Sequence, residues 1–454
     1  MTTIQEAARQ TPVAAEVDLC VVGGSCTGVF AAVAAARRGL TVALVENQNM
    51  FGGNTTSGFV AVWHSYWDTK GERKIISGLS QELADKLKAR GAVTESTRTD
   101  PSWQYALNPA EAAIALDHLA THPLIKPFLH TRMVAALREG REIKAILIED
   151  KSGRRAIKAR SFIDASGDGD LVHRAGGETF THPGMQPPTM AALLGGLEAL
   201  KQKAPSFNLG ADVFNPKSPH ALPPGFLWSY LVPGATDQTL VFGTRVHGID
   251  CSSAEDLTRA EMEGRAQVEK IMDGIRHAYP QSGVTLSALP SRIGVRETRH
   301  ARCLHALTEQ EVLHGVRFDD AIANGTYRVD VHHQGSGGLT FRYLDGREHV
   351  ISGDQQHTHG RWRPEQAEDP TFYQVPYRSL VPVGFDNLLV AGRCLDADKG
   401  AFGAVRVQVN CNQMGEAAGA AAALAQKTGA GFSAVDSGAL KQSLEEGGAA
   451  VVRG

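Results

Sequence analysis

Two groups of residues in this chain have types and spacings that can do chemistry. The first is Gly23, Gly24, Ser25, Cys26, Thr27 and Gly28, set between the apolar run Val17 to Val22 and a run of small residues that includes Ala31, Ala32, Ala34, Ala35 and Ala36. A glycine-rich turn from a buried strand into a helix aims unpaired backbone N–H groups and the positive helix end at one point, which suits a phosphate. Thr41 to Val45 reads as a second strand ending on Glu46, with Asn47 beside it. An acid about 20 residues beyond such a turn is placed to accept from a ribose hydroxyl. The pattern departs at the third position, where Ser25 stands for the usual glycine; it keeps its N–H and adds a hydroxyl, at the cost of a tighter approach. Strand, turn, helix, strand and acid together point to an adenine dinucleotide, FAD or NAD.

The second group is cationic. Ser291 to His305 holds Arg292, Arg296, Arg299 and Arg302 with His300 and His305. If the stretch is helical, Arg296 and Arg299 share a face at i and i+3 and can clamp a carboxylate. His332 and His333 follow a strand over Tyr327 to Val331, so only one of them can face a site; His332 is the acid/base candidate. Tyr377 and Arg378 are candidate substrate contacts, near Tyr373 in a segment stiffened by Pro376 and Pro382. His357 and His359 can share a strand face, but no carboxylate in ligand spacing accompanies them, and no metal is assigned.

Two distant segments choose between the cofactors. In Ser161 to Asp170, SFIDASGDGD, a short apolar strand breaks at Gly167 and Gly169. In Asn387 to Gly419, the strand Leu388 to Ala391 breaks at Gly392, and an Ala/Gly-rich helix runs from about Gln408 to Leu424. Its N-terminus can point donors at a partly negative group such as the flavin O2. At Phe51 to Gly58, Asp164 to Leu171, Asn387 to Cys394 and Gly403 to Gly419 the chain resembles the FAD-dependent oxidoreductases of the glutathione-reductase-like fold. Within them it is most similar to a bacterial group distantly related to fumarate-reductase flavoproteins. The resemblance implies FAD and a redox reaction. It places Gly23, Ser25 and Gly28 at the pyrophosphate, Glu46 at the adenosine ribose, and Gly52, Gly53, Asn54 and Thr55 beside the phosphates or ribityl chain. It brings Ser166, Gly167 and Asp168 to the adenosine side and Gly392, Arg393 and Asp396 to the pyrophosphate and ribityl chain. Gln408, Val409 and Asn412 would lie at the pyrimidine edge of the flavin. Gly415 and Gly419 could instead serve to pack helix on strand.

These groups need a scaffold of matching size. A chain of 454 residues is long for one core, and its 42% hydrophobic and 21% charged composition is that of a folded protein. The expected architecture is α/β: a Rossmann-like FAD-binding domain, with a parallel sheet and an antiparallel three-stranded meander, carrying an inserted α+β substrate domain. The boundaries expected are 1–177, 178–370 for the insert, and 371–454. Helices are expected at Gly78 to Arg90, at Pro109 to Leu119 and at Ala254 to Ala278, and hairpin turns at Arg138 to Arg141 and Lys151 to Gly153.

The net charge of −3 makes no electrostatic case for nucleic acid or an anionic membrane. No run has the roughly 18 apolar residues of a membrane span, and the first residues do not read as a secretory signal. Six scattered cysteines without C-x-x-C spacing fit a reduced, cytoplasmic protein. The expected activity is hydride transfer between flavin N5 and a small polar organic substrate. The competing expectations are a flavin monooxygenase-type enzyme and a non-catalytic flavin-binding partner or sensor. The electron acceptor is left open, with a homo-oligomer among the expectations.

Overall fold

A computed structural model describes residues 2–97, 104–223, 225–333, 337–353 and 356–452. The first strand is Val13–Val22 (β1), longer than the apolar run because Val13 to Val17 pair with Ala156 to Ala159. It leads through the glycine turn into Cys26–Ala36 (α1), then Val42–Val45 (β2). Leu79–Lys88 (α2) and Pro109–Ala120 (α3) follow, the latter capped by Asn108, whose side chain accepts from Ala110 N and Glu111 N. Next come Ile125–Phe128 (β3), Arg132–Glu139 (β4), Glu142–Asp150 (β5) and Gly153–Asp164 (β6). Much later the chain returns with Leu388–Val390 (β7) and Gln408–Thr428 (α5).

These strands form one sheet in the order β3-β2-β1-β6-β5-β4, with β7 also pairing with β6. The pairs β3·β2, β2·β1, β1·β6 and β6·β7 are parallel, and β4·β5·β6 is the antiparallel meander. Strand β6 belongs to both halves. Its early residues pair with β5, and Phe162 to Asp164 pair with β7. The hairpins turn at Gly140–Arg141 and Lys151–Ser152.

Every residue of α1 is buried. It lies against α5, where Gly415 and Gly419 meet the carbonyls of Thr27 and Ala31 so closely that a Cβ on either would overlap a backbone oxygen. These two glycines therefore do serve packing, but of helix on helix rather than of helix on strand.

The expected insert, 178–370, contributes to several cores. Met190 to Val295 build a separate one, from the antiparallel sheet Trp228–Leu231, Gln238–Phe242, Ala192–Gly195, Thr285–Ala288 and the helix Ala254–Ala278 (α4). From Ala301 onward, residues such as Leu307 and Val329 join the main core. A second antiparallel sheet runs Val329–His332, Leu339–Arg342, Arg347–Ile351, His357–Arg361. No helix among the described residues is long and apolar enough to cross a membrane.

Glu416 on α5 is 4% exposed, and its carboxylate accepts from Leu79 N at the start of α2, 3.1 Å away. Burial pushes its pKa up to about 7. The unfolded chain therefore gives up this proton first. The stability tied to it is full below the unfolded value of 4.5 and is lost as pH rises through about 7. At roughly 1.4 kcal/mol per pKa unit, the loss is on the order of 3 kcal/mol. We expect Glu416→Gln to become more stable relative to the parent on going from pH 5 to pH 8, measured by denaturant unfolding at both pH values. An unchanged difference between the two proteins would refute the assignment.

Candidate active site

Gly23, Glu46, Ala165 and Ala391 each directly follow a strand of the parallel sheet, and all four line one cleft of about 650 Å³, open mouth included. A ligand of an open α/β sheet binds at this carboxyl edge. Gly23 has φ +102°, and a Cβ there would strike the backbone of Ala165 and Ser166. Ser25 caps α1 without a side-chain hydrogen bond, so the first-turn N–H groups carry no side-chain cap. Ser25, Cys26, Thr27, Gly52, Gly53, Asn54 and Thr55 line the same wall. Glu46 is held in place by Gly24 N (2.7 Å) and Gln48 N (2.8 Å), each donating to one of its carboxylate oxygens.

Ser166, Gly167, Gly392, Arg393, Gln408 and Asn412 complete the opposite wall. The turn that presents Gly167 is organised by buried Asp164, which accepts from Ser166 Oγ (2.6 Å), Leu171 N (2.8 Å) and Val172 N (3.1 Å). Burial nevertheless pushes its pKa up to about 6. Gln408 accepts from Trp63 Nε1 at 2.8 Å and so ties α5 to the loop after Gly53. Burial pushes the Cys26 thiol up to about 11, against a reactive thiolate in the turn.

Other expected residues lie off the lining. Gly24 packs against Phe51 and Glu46. Asn47 is exposed and accepts from Gln48, and Val409 is buried. Asp168 accepts from Thr298 Oγ1 at 2.8 Å and faces Arg393 at 3.3 Å, so it acts on the cleft only through that arginine. Asp396 is fully buried, accepts from Cys303 N at 2.8 Å and faces Arg302.

The cleft fits a flavin adenine dinucleotide by what it leaves unpaired. Both carboxamide atoms of Asn412, Nη1 of Arg393 and Nε of Arg406 are buried at the lining without a protein partner. A buried polar group left unmatched is costly, and a polar ligand supplies the match. Uncapped N–H groups stand where a pyrophosphate is expected, and an acid where a ribose is expected.

A cluster of charge adjoins the cleft through Arg406, which lines it. Arg406 Nη2 donates to Asp330 Oδ2 at 3.1 Å, and Tyr327 OH donates to the same oxygen at 2.8 Å. His332 Nε2 is 3.4 Å from Asp330 Oδ1. Arg296 Nη1 donates to Pro187 O and Thr189 Oγ1, both at 2.6 Å, and Arg245 Nη1 reaches the same Thr189 Oγ1 at 3.2 Å. The His64 and Tyr327 rings meet at a 33° tilt with centroids 4.0 Å apart. Burial, then repulsion from Arg245 and Arg406, pulls the Arg296 guanidinium well below its ordinary pKa. Burial pulls Arg245 down to about 10, still charged at neutral pH. Burial likewise pushes His332 well below the usual histidine range, leaving it neutral. Burial opposes charge on Asp330 too, but Arg406, Arg328 and the Tyr327 hydroxyl hold its carboxyl well below the usual range.

Arg296 and His332 are thus brought together, but Arg299, Tyr377 and Arg378 are not. The stretch around Arg296 is not helical, and Arg299 takes another direction, pairing with Asp170 and donating to Asp168 O. Tyr377 is buried and donates to Phe432 O at 3.0 Å. Arg378 pairs with Asp320 at 3.3 Å with its side chain 44% exposed. Both lie at the return of the chain and do packing and surface work. Sequence reasoning passed over Arg245, Arg406 and Asp330. Only Asp330 carried a usable signal: it precedes His332 by two on a strand, hence on the same face.

No curated protein matches the chain. Among solved structures it is similar to a geranylgeranyl bacteriochlorophyll reductase-like protein from Thermoplasma acidophilum, at 11% identity and TM-score 0.45, over 95% of this chain and 83% of that one. It is similar to a flavoprotein/dehydrogenase from Cytophaga hutchinsonii, at 13% identity and TM-score 0.45, over 95% and 84%. A triple mutant of a flavin-dependent brominase aligns at 12% identity and TM-score 0.44, over 94% and 85%. The profile of the family described as FAD dependent oxidoreductase matches residues 18–444, nearly the whole chain. This protein belongs to that family, and is an FAD-dependent oxidoreductase.

Proposed function

We propose that the enzyme moves a hydride between the flavin and a small polar substrate that carries a carboxylate or an equivalent anion. The observation that carries this reading is the charge imbalance beside the cleft, where Arg406 pairs with Asp330 and Arg245 and Arg296 lie within the field of that one carboxylate. A buried excess of positive charge is costly until an anion joins it. Bound FAD supplies the hydride acceptor or donor at N5. Arg296, with Arg245 behind it on Thr189, holds the substrate anion, and Arg406 carries the positive field to the cleft lining. Neutral His332, oriented by Asp330, takes the proton that leaves the substrate as hydride departs. The charge Asp330 retains favours the imidazolium that then forms.

Anaerobic bleaching of the bound flavin tests this. A panel of hydroxy and amino acids is set against the corresponding amides and esters. Bleaching by acids alone is expected. Bleaching only by NADPH or NADH, followed by oxygen consumption, would move the protein to the monooxygenase class. Bleaching by no donor would favour a flavin sensor.

Two substitutions separate the roles. Arg296→Ala should lower kcat/KM by roughly 10- to 100-fold, the worth of a charged hydrogen bond, with flavin content unchanged; equal loss of both would make Arg296 structural. Glu46→Ala should lower the flavin absorbance per chain of the purified protein. Full occupancy in that variant would remove Glu46 from the ribose.

A further inference from the structure

Away from the cleft lining, the chain brings together His182, Glu297 and His300. One ligand atom from each lies within 4.8 Å of the others. Glu297 Oε1 is 2.6 Å from His182 Nδ1 and 3.5 Å from His300 Nε2. The side chains of Glu297 and His300 are fully buried and that of His182 is 10% exposed.

Each histidine turns its other nitrogen to a backbone carbonyl. His182 Nε2 faces Ala397 O at 3.0 Å, and His300 Nδ1 faces Leu395 O at 3.1 Å. Such a carbonyl fixes a metal-ligating histidine with its inner nitrogen bare and its ring oriented. The second oxygen of Glu297 accepts from Gln186 N at 2.8 Å, leaving Oε1 to the centre. A set of hydrogen bonds alone does not satisfy the cluster, because His300 Nε2 is buried without a hydrogen-bond partner. Phe180 stacks on His300 at 5.2 Å and Phe402 meets its ring edge-on at 4.6 Å, so the rings are walled in.

We propose that His182 Nδ1, Glu297 Oε1 and His300 Nε2 bind a divalent ion of the zinc class. Two imidazoles and one carboxylate suit zinc or a late first-row neighbour, and ligand atoms around a tetrahedral ion stand roughly 3.3 Å apart. The 3.5 Å contact already has that spacing, and the 2.6 Å contact reaches it when the ion displaces the proton between His182 and Glu297. The fourth position opens toward His182, the only one of the three that reaches the surface, and takes a water. The site fastens the start of the insert and the Arg296-bearing segment to residues 395–397, just beyond β7. None of this depends on the substrate reading above.

The test is zinc binding by the tag-free, flavin-loaded protein after chelator stripping and dialysis. Metal content is read by mass spectrometry and affinity by competition with a chromophoric chelator. One tightly held zinc ion per chain is expected. His300→Gln and Glu297→Gln should each weaken it by at least the roughly 10- to 100-fold that loss of an outer-sphere partner costs, with flavin content kept. The exposed histidines of the second insert sheet are the control, since His349 Nε2 lies 3.0 Å from His357 Nδ1 and His359 stacks beside them. Replacing His357 and His359 by Asn should leave the tight site intact. Absence of a tight site in the parent, its loss in that control, or its persistence in His300→Gln would each overturn the assignment. If the Glu297 and His300 variants fail to fold, parent stoichiometry and the surface control still decide.

Discussion

The structure depends on how closely α1 is enclosed. A helix buried over its whole length has no face on which to carry a long side chain. Cys, Thr, Gly, Val, Ala and a single Phe make up α1, and α5 answers with glycines opposite the carbonyls of Thr27 and Ala31. Interiors are close-packed, so this contact has little room to adjust. It sets α1 on the sheet, and the position of α1 sets the point to which its first N–H groups aim. The start of α5 reaches the same cleft because its later turns are fixed along α1. One steric fit therefore places both helix ends.

Charge is distributed on the same plan. Along the cleft, polar atoms are either spent on backbone, as in Glu46 and Asp164, or left bare toward the cleft, as in Asn412 and Arg393. Beside that wall, Arg245, Arg296 and Arg406 share a buried region with Asp330 and a neutral His332. The low dielectric that makes such a group expensive also strengthens its hold on an anion. The pairing of Thr179–Phe180 with His300–Ala301 brings His182, Glu297 and His300 together. The segment from Arg296 to His300 thus contributes to both clusters, and it is not helical. Arg296 donates to Pro187 O and Thr189 Oγ1, while Glu297 beside it meets His182 and His300.

Much of this was legible in the chain itself. The strand–turn–helix–strand unit, the meander, the caps at Asn108 and the helix over Ala254–Ala278 are local patterns, and the structure carries them at nearly the expected positions. The resemblance named the cofactor from short motifs at the strand ends, where the backbone does most of the binding. The substrate side was less legible. Arg296 and His332 were chosen by residue type and do fall into one cluster. Arg299, Tyr377 and Arg378 were chosen the same way and do not, since a spacing of three means a shared face only in a helix.

The sequence by itself determined the α/β framework, the glycine turn and the acid after β2, because each is specified by neighbours within one supersecondary unit. Only the tertiary structure decided which cations meet. Arg245, Arg296, Asp330 and Arg406 come from separate elements of the insert and from the segment before α5, and their pairing is set by burial that no local pattern encodes. The same holds for His182, which lies far from Glu297 in the chain and touches it where Thr179–Phe180 pair with His300–Ala301.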